Sequence, residues 1–131
     1  MLTFTFQSML FPIIPDEDEE TNPGIYGKAL AQWLFENLHE YSITPIEIIT
    51  EDFGWCILVK DDTYSLYITC TNEEEETDQW AIFAFIEGGG LIKRFFDKTR
   101  KKQKIEHLMK AVNLCLQSEP EIHHLKEELR G

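Results

Sequence analysis

Cations are scarce over the first two thirds of this chain. Residues 1–92 hold only 2 basic side chains, Lys28 and Lys60, against 18 acidic ones. Across all 131 residues, 12 Lys and Arg face 24 Asp and Glu, a formal charge of -12. So negative a molecule is a poor partner for nucleic acid or an anionic membrane. Cysteine is scarce as well. Cys56, Cys70 and Cys115 form no close sequence pair and one must stay unpaired, which argues against a disulfide framework or a zinc knuckle and fits a reducing cytoplasm. No apolar run approaches the roughly 20 residues of a membrane span. The N-terminus lacks the basic and continuous apolar regions of a signal peptide. The length suits one domain and excludes a two-lobed enzyme.

What is present is a chain rich enough in apolar residues, 43%, to bury a core. Leu2, Phe4, Phe6 and Leu10 alternate with polar residues, the signature of a strand. An acidic run from Asp16 to Glu20 reads as a solvated loop. Asn22-Pro23 reads as a helix start, because Asn caps free N–H groups and Pro has none to leave unpaired. Tyr26, Leu30, Trp33, Leu34, Leu38 and Tyr41 then recur at helical spacing. Pro45 to Thr50 is a short β-branched strand. Trp55 to Lys60 and Thr63 to Thr71 form a hairpin about Asp61-Asp62, which sets Val59 opposite Tyr64, Ile57 opposite Leu66 and Trp55 opposite Ile68. In that register Cys56 and Cys70 point to opposite faces and cannot be bridged. Trp80 to Ile86 is apolar on both alternating faces, as a central strand would be.

Beyond Gly88-Gly89-Gly90, residues 91–96 follow helical spacing for two turns, and a second long helix starts near Lys104. Ser118 to Glu121 reads as a capping box ahead of a short terminal helix carrying Ile122, Leu125 and Leu129, with an edge strand as the alternative. The expected order is β-α-β-β-β-β-α-α: a single α+β domain over 1–131, with a mostly antiparallel sheet of about five strands and two long helices on one face.

Charge is distributed unevenly. Residues 93–104 hold seven cations and one anion, Asp97, so a basic patch interrupts the acidic chain. It reads as a solvated connection between helices, or as a grip for phosphate or for acidic parts of the same molecule. Gly89, Gly90, Lys93 and Arg94 compose a weak anion-binding candidate, since N–H groups at a helix start attract anions, although no phosphate-loop fingerprint is present. His39, His107, His123 and His124 lack metal-ligand spacing. No acid, base and nucleophile converge in the sequence, so neither cofactor nor catalysis is expected.

The most distinctive segment is Glu51-Asp52-Phe53-Gly54-Trp55, with two carboxylates and a large ring at a strand boundary. Such loops often carry sites. Glu51 and Asp52 can accept hydrogen bonds from a basic partner, with Trp55 as an interface anchor or, equally, as a core residue. Glu74 and Glu75, in the second acidic loop, would extend that surface. Thr21-Asn22-Pro23-Gly24-Ile25-Tyr26-Gly27 and Glu51 to Trp55 resemble elements of small acidic bacterial proteins of unassigned activity. The resemblance covers the first half and transfers no functional residue; it implies a bacterial cytoplasmic setting. In size, acidity and want of a catalytic set the chain is also similar in type to immunity proteins that neutralise basic toxins. The expected function is a non-enzymatic module that binds a basic protein. One alternative is a small-ligand or enzymatic domain using the Glu51-Asp52 turn and the Gly88–Arg94 segment; another is a self-associating homodimer.

Overall fold

The computed structural model describes residues 1–61, 63–74, 76–88 and 94–131, with side chains described throughout these except at 94–97. Its strands are β1 (Leu2–Gln7), β2 (Glu47–Glu51), β3 (Gly54–Lys60), β4 (Tyr64–Asn72), β5 (Gln79–Gly88) and β6 (His123–Leu129); its helices are α1 (Lys28–Asn37) and α2 (Arg94–Gln117). The strands make one sheet in the order β2-β3-β4-β5-β1-β6, antiparallel throughout. This is the expected α+β architecture with six strands in place of five.

Alternation along each strand sorts the two faces. Phe4, Phe6, Trp55, Ile57, Leu66, Ile68, Trp80 and Ile82 all point to the side covered by helices, where Leu30, Leu34 and Leu38 meet Leu108, Val112 and Leu116. Trp80 is 1% exposed, and its indole N–H donates to the Ser8 carbonyl at 3.1 Å, so even the polar tip of this ring is satisfied.

Five local expectations are corrected. The Asn22-Pro23 helix start is a turn: the Ile25 N–H donates to the Asn22 carbonyl at 2.9 Å, with Gly24 at φ 83. Pro at the second and a left-handed Gly at the third position is type II turn chemistry, which overrides the capping preference. Asn72 pins this turn, accepting from the Tyr26 N–H and donating to the Gly24 carbonyl. The helix opens only at Lys28, after Gly27, where an added Cβ would lie 2.4 Å from the Cys70 carbonyl oxygen.

The acidic run 16–20 is more than a solvated loop. Glu17 is 3% exposed, and its carboxylate accepts N–H groups from Ile14, Gly27 and Lys28 at 2.9, 3.1 and 3.0 Å. A side chain ten residues upstream thus caps α1, satisfying orphan N–H groups and placing negative charge at the positive end of the helix dipole.

The β3–β4 hairpin is tied one residue later than expected. Asp61 Oδ1 accepts the N–H groups of Thr63 and Tyr64, and the Asp61 N–H donates to the Tyr64 carbonyl. Val59 therefore faces Leu66, Ile57 faces Ile68 and Trp55 faces Cys70. A shift of two residues conserves the faces.

Finally, the basic segment is no connection between helices but, from Arg94, the first half of one 24-residue helix. Lys, Arg and Gln are good helix formers and no Pro or Gly intervenes. The terminal helix is instead strand β6, paired to β1. The Ser118 hydroxyl donates to the Cys115 carbonyl and so serves the end of α2, rather than starting a new helix.

Candidate interaction surface

The face of the sheet turned away from the helices carries the other half of each alternation. One cross-strand row there runs Ile49, Cys56, Thr69, Phe83, Thr3; the next runs Leu58, Tyr67, Phe85. Phe85 stacks on Tyr67 with ring centroids 4.8 Å apart and planes 13° from parallel. Phe53, in the β2–β3 turn, reaches across β4 to lie 6.2 Å from Phe83 and 6.0 Å from Phe85. In the row of Phe83, Cys56, Thr69 and Thr3 are buried on a face that α1 and α2 do not cover.

Gly54 makes the crossing feasible. A Cβ there would sit 2.7 Å from the Cys70 carbonyl oxygen and 3.0 Å from Thr69 Cγ2, so the turn lies against β4 as only Gly allows. Phe53 itself remains 44% exposed and is the most accessible ring of the cluster's turn-borne edge.

Carboxylates border this aromatic patch. Glu51 and Asp52 are exposed on either side of the strand boundary that presents Phe53. Burial pushes the Tyr67 phenol up, and the adjacent Glu87 and more distant Glu51 carboxylates add to the effect. The hydroxyl therefore stays protonated, a neutral donor in a negative field.

The β4–β5 loop belongs to the same end of the sheet, because β4 ends at Asn72 one residue beyond Thr71, which flanks Gly54. Glu74 is exposed there at φ 49. Glu75 lies outside the described residues. Glu73 is engaged by the Arg130 guanidinium, which also donates to Glu128 at 2.7 Å. The result is a shallow acidic depression of about 560 Å³ that includes Glu73, Glu74, Glu76 and Asp78.

Trp55 does not join this surface. It is 5% exposed on the helix-covered side, with Lys28 Nζ 5.4 Å from its ring centroid, so it is a core residue and unavailable as an anchor. Sequence reasoning misses Phe53, although it stands within the same five residues. The signal was present in Phe83 and Phe85, which make β5 apolar on both faces and so call for a second apolar cluster.

Gly89, Gly90 and Lys93 lie outside the described residues, as does the side chain of Arg94, whose backbone opens α2. Gly88, where that segment begins, pairs with Tyr64 at the Lys60 end of β3, whereas Glu51 pairs with Gly54 at the other. Gly88 and the Glu51-Asp52 turn are thus separated by the length of β3, roughly 20 Å at 3.3 Å per residue. Among the described residues no group of three or more His, Cys, Asp and Glu side chains could hold a metal ion. Burial raises the thiols of Cys56, Cys70 and Cys115, the last to about 11, which suits buried structural cysteines. Among the described residues no helix is long and apolar enough to cross a membrane. No known protein family, curated protein or solved structure matches this chain.

Proposed function

We propose that this chain is a binding module that masks a basic protein segment, in the manner of an immunity or inhibitor protein. The observation that carries the reading is Phe53, a half-exposed ring held over a sheet face by Phe83 and Phe85 and bordered by Glu51 and Asp52. A partner's Arg or Lys would stack on the exposed aromatic edge while donating to the flanking carboxylates; both interactions gain strength as the contact excludes water. Summed over the acidic end, the negative potential would steer the encounter and make its rate sensitive to salt.

The test is titration calorimetry with an arginine-rich peptide, for the native chain, Phe53→Ala and the double variant Glu51→Gln, Asp52→Asn. Binding should weaken with salt and in both variants. Binding that survives high salt and ignores Phe53 would remove the mechanism.

A further inference from the structure

The sheet ends at β6, whose outer row of backbone N–H and C=O groups faces no other strand among the described residues. Open edges invite pairing, and natural proteins blunt them with charge. β6 carries Lys126, Glu127 and Glu128, yet Leu129 on the same strand is 83% exposed and the neighbouring Met1 57%. Both line a groove of about 910 Å³ between α2 and the β1–β6 edge. Phe4 and Met109 contribute to its apolar lining, while Lys102 and Lys110 lie on its helix side with Glu106 between them.

We propose that a second copy of this chain covers this edge, with the two β6 strands antiparallel about a two-fold axis at Glu127. Directly opposed residues of an antiparallel pair share a face, so the axis must fall on a residue rather than between two. Centred on Glu127, each Lys126 opposes Glu128 of the second copy, and each Leu125 opposes Leu129 of the second copy. Two charge pairs and two apolar pairs form. Centred on Lys126, like charges meet at the axis and Leu125 opposes Glu127. Centred on Leu125, Lys126 opposes His124 and Leu129 extends past the pairing. The charges that would repel an arbitrary strand therefore select one register for this strand against itself.

The chosen register opposes Glu127 to itself, but that residue faces the groove, where Lys102 and Lys110 supply compensating charge. Association would also cover Leu129, the most exposed large apolar side chain of the described residues. The surface lies across the sheet from β2, so this proposal does not rest on the function proposed above. A dimer of this kind would carry its two acidic, aromatic surfaces toward its outer edges.

Sedimentation of the full chain over a concentration series tests the idea. The native chain should pass reversibly from monomer to dimer. Lys126→Glu should weaken the dimer about tenfold or more, since both charge pairs become repulsive. Adding Glu128→Lys to that variant should restore it. Glu127→Cys should give a disulfide-linked dimer on mild oxidation, because opposed residues stand within disulfide reach; Glu36→Cys, on α1, should not. A native chain that stays monomeric throughout, or charge variants that dimerise as it does, would overturn the proposal. So would cysteine at 127 coupling no faster than at 36.

Discussion

The two faces of this sheet are built by the same strands and yet do different work. On one, Trp80, Ile82 and their neighbours are sealed by α1 and α2, and a helix layer supplies the apolar partner surface. On the other, among the described residues, no helix arrives and the sheet covers itself: Phe53 folds back from a turn, Tyr67 and Phe85 stack, and the small side chains Cys56 and Thr69 are buried on the same face. The first face has exhausted its capacity for contact. The second retains accessible aromatic area framed by carboxylates, which is what supports the binding role proposed for it.

The largest effect should come from the covered face. Trp80→Ala removes a fully buried ring and its hydrogen bond to Ser8, and should cost about 3–5 kcal/mol in urea unfolding. If that substitution costs no more than Phe53→Ala, the distinction between the faces fails. Glu17→Ala should come next, at about 2–3 kcal/mol, because three N–H groups lose an acceptor that is nearly inaccessible to water. Glu17→Gln keeps one acceptor oxygen and should lose roughly half as much.

On the open face, Phe53→Ala should reduce stability by only about 1 kcal/mol, since much of the ring is already in water. Its sharper signature should be chemical: the Cys56 thiol, buried in the native chain, should react faster with a maleimide, while Cys70 and Cys115 keep their native rates. Unchanged labelling at Cys56 would show that the ring does not seal this face.

The smallest effect concerns the Asp61–Lys104 pair, at 2.8 Å, which ties α2 to the β3–β4 hairpin. Burial works to raise the Asp61 carboxyl, but Lys104 and the N–H groups of Tyr64 and Thr63 outweigh it and hold it below its usual range. The stability it contributes is therefore present above the unfolded value, about 3.9, and is lost as pH falls through the lower folded value. Both partners are partly solvated, so the loss should stay under about 1 kcal/mol and shrink in Lys104→Ala, where the Tyr64 and Thr63 N–H groups still hold the carboxylate. Acid titration of unfolding for the native chain and that variant measures it.

The parts that could be read along the chain are those where period alone decides. Trp55, Ile57, Leu66 and Ile68 were sorted to the correct face even though the hairpin register was displaced, because a two-residue shift leaves parity intact. Where two chemistries share one motif, local reading chose wrongly. Asn-Pro-Gly serves both a helix start and a type II turn, and it is the end of β4, through Asn72 on the turn and Cys70 against Gly27, that favours the turn. Glu17 looked like one acid among five; nothing nearby reveals that its oxygens meet Gly27 and Lys28.

The site divides in the same way. Glu51 and Asp52 were recognisable as a bordered turn, but the choice between Phe53 and Trp55 depends on which ring faces the helices, a matter of three-dimensional placement. Cys56 and Cys70 could be declared unbridgeable from alternation, and both are free.

Unaided, the amino-acid order settled the charge imbalance, the two apolar periodicities and hence an antiparallel sheet with helices on one side, because these follow from spacing between near neighbours. Only the folded chain decided that 123–129 joins β1 as a strand, that Glu17 caps a distant helix, and that Phe53 roofs the bare face. Each of those depends on a partner remote in sequence, and a short segment takes whichever conformation its remote partner stabilises more.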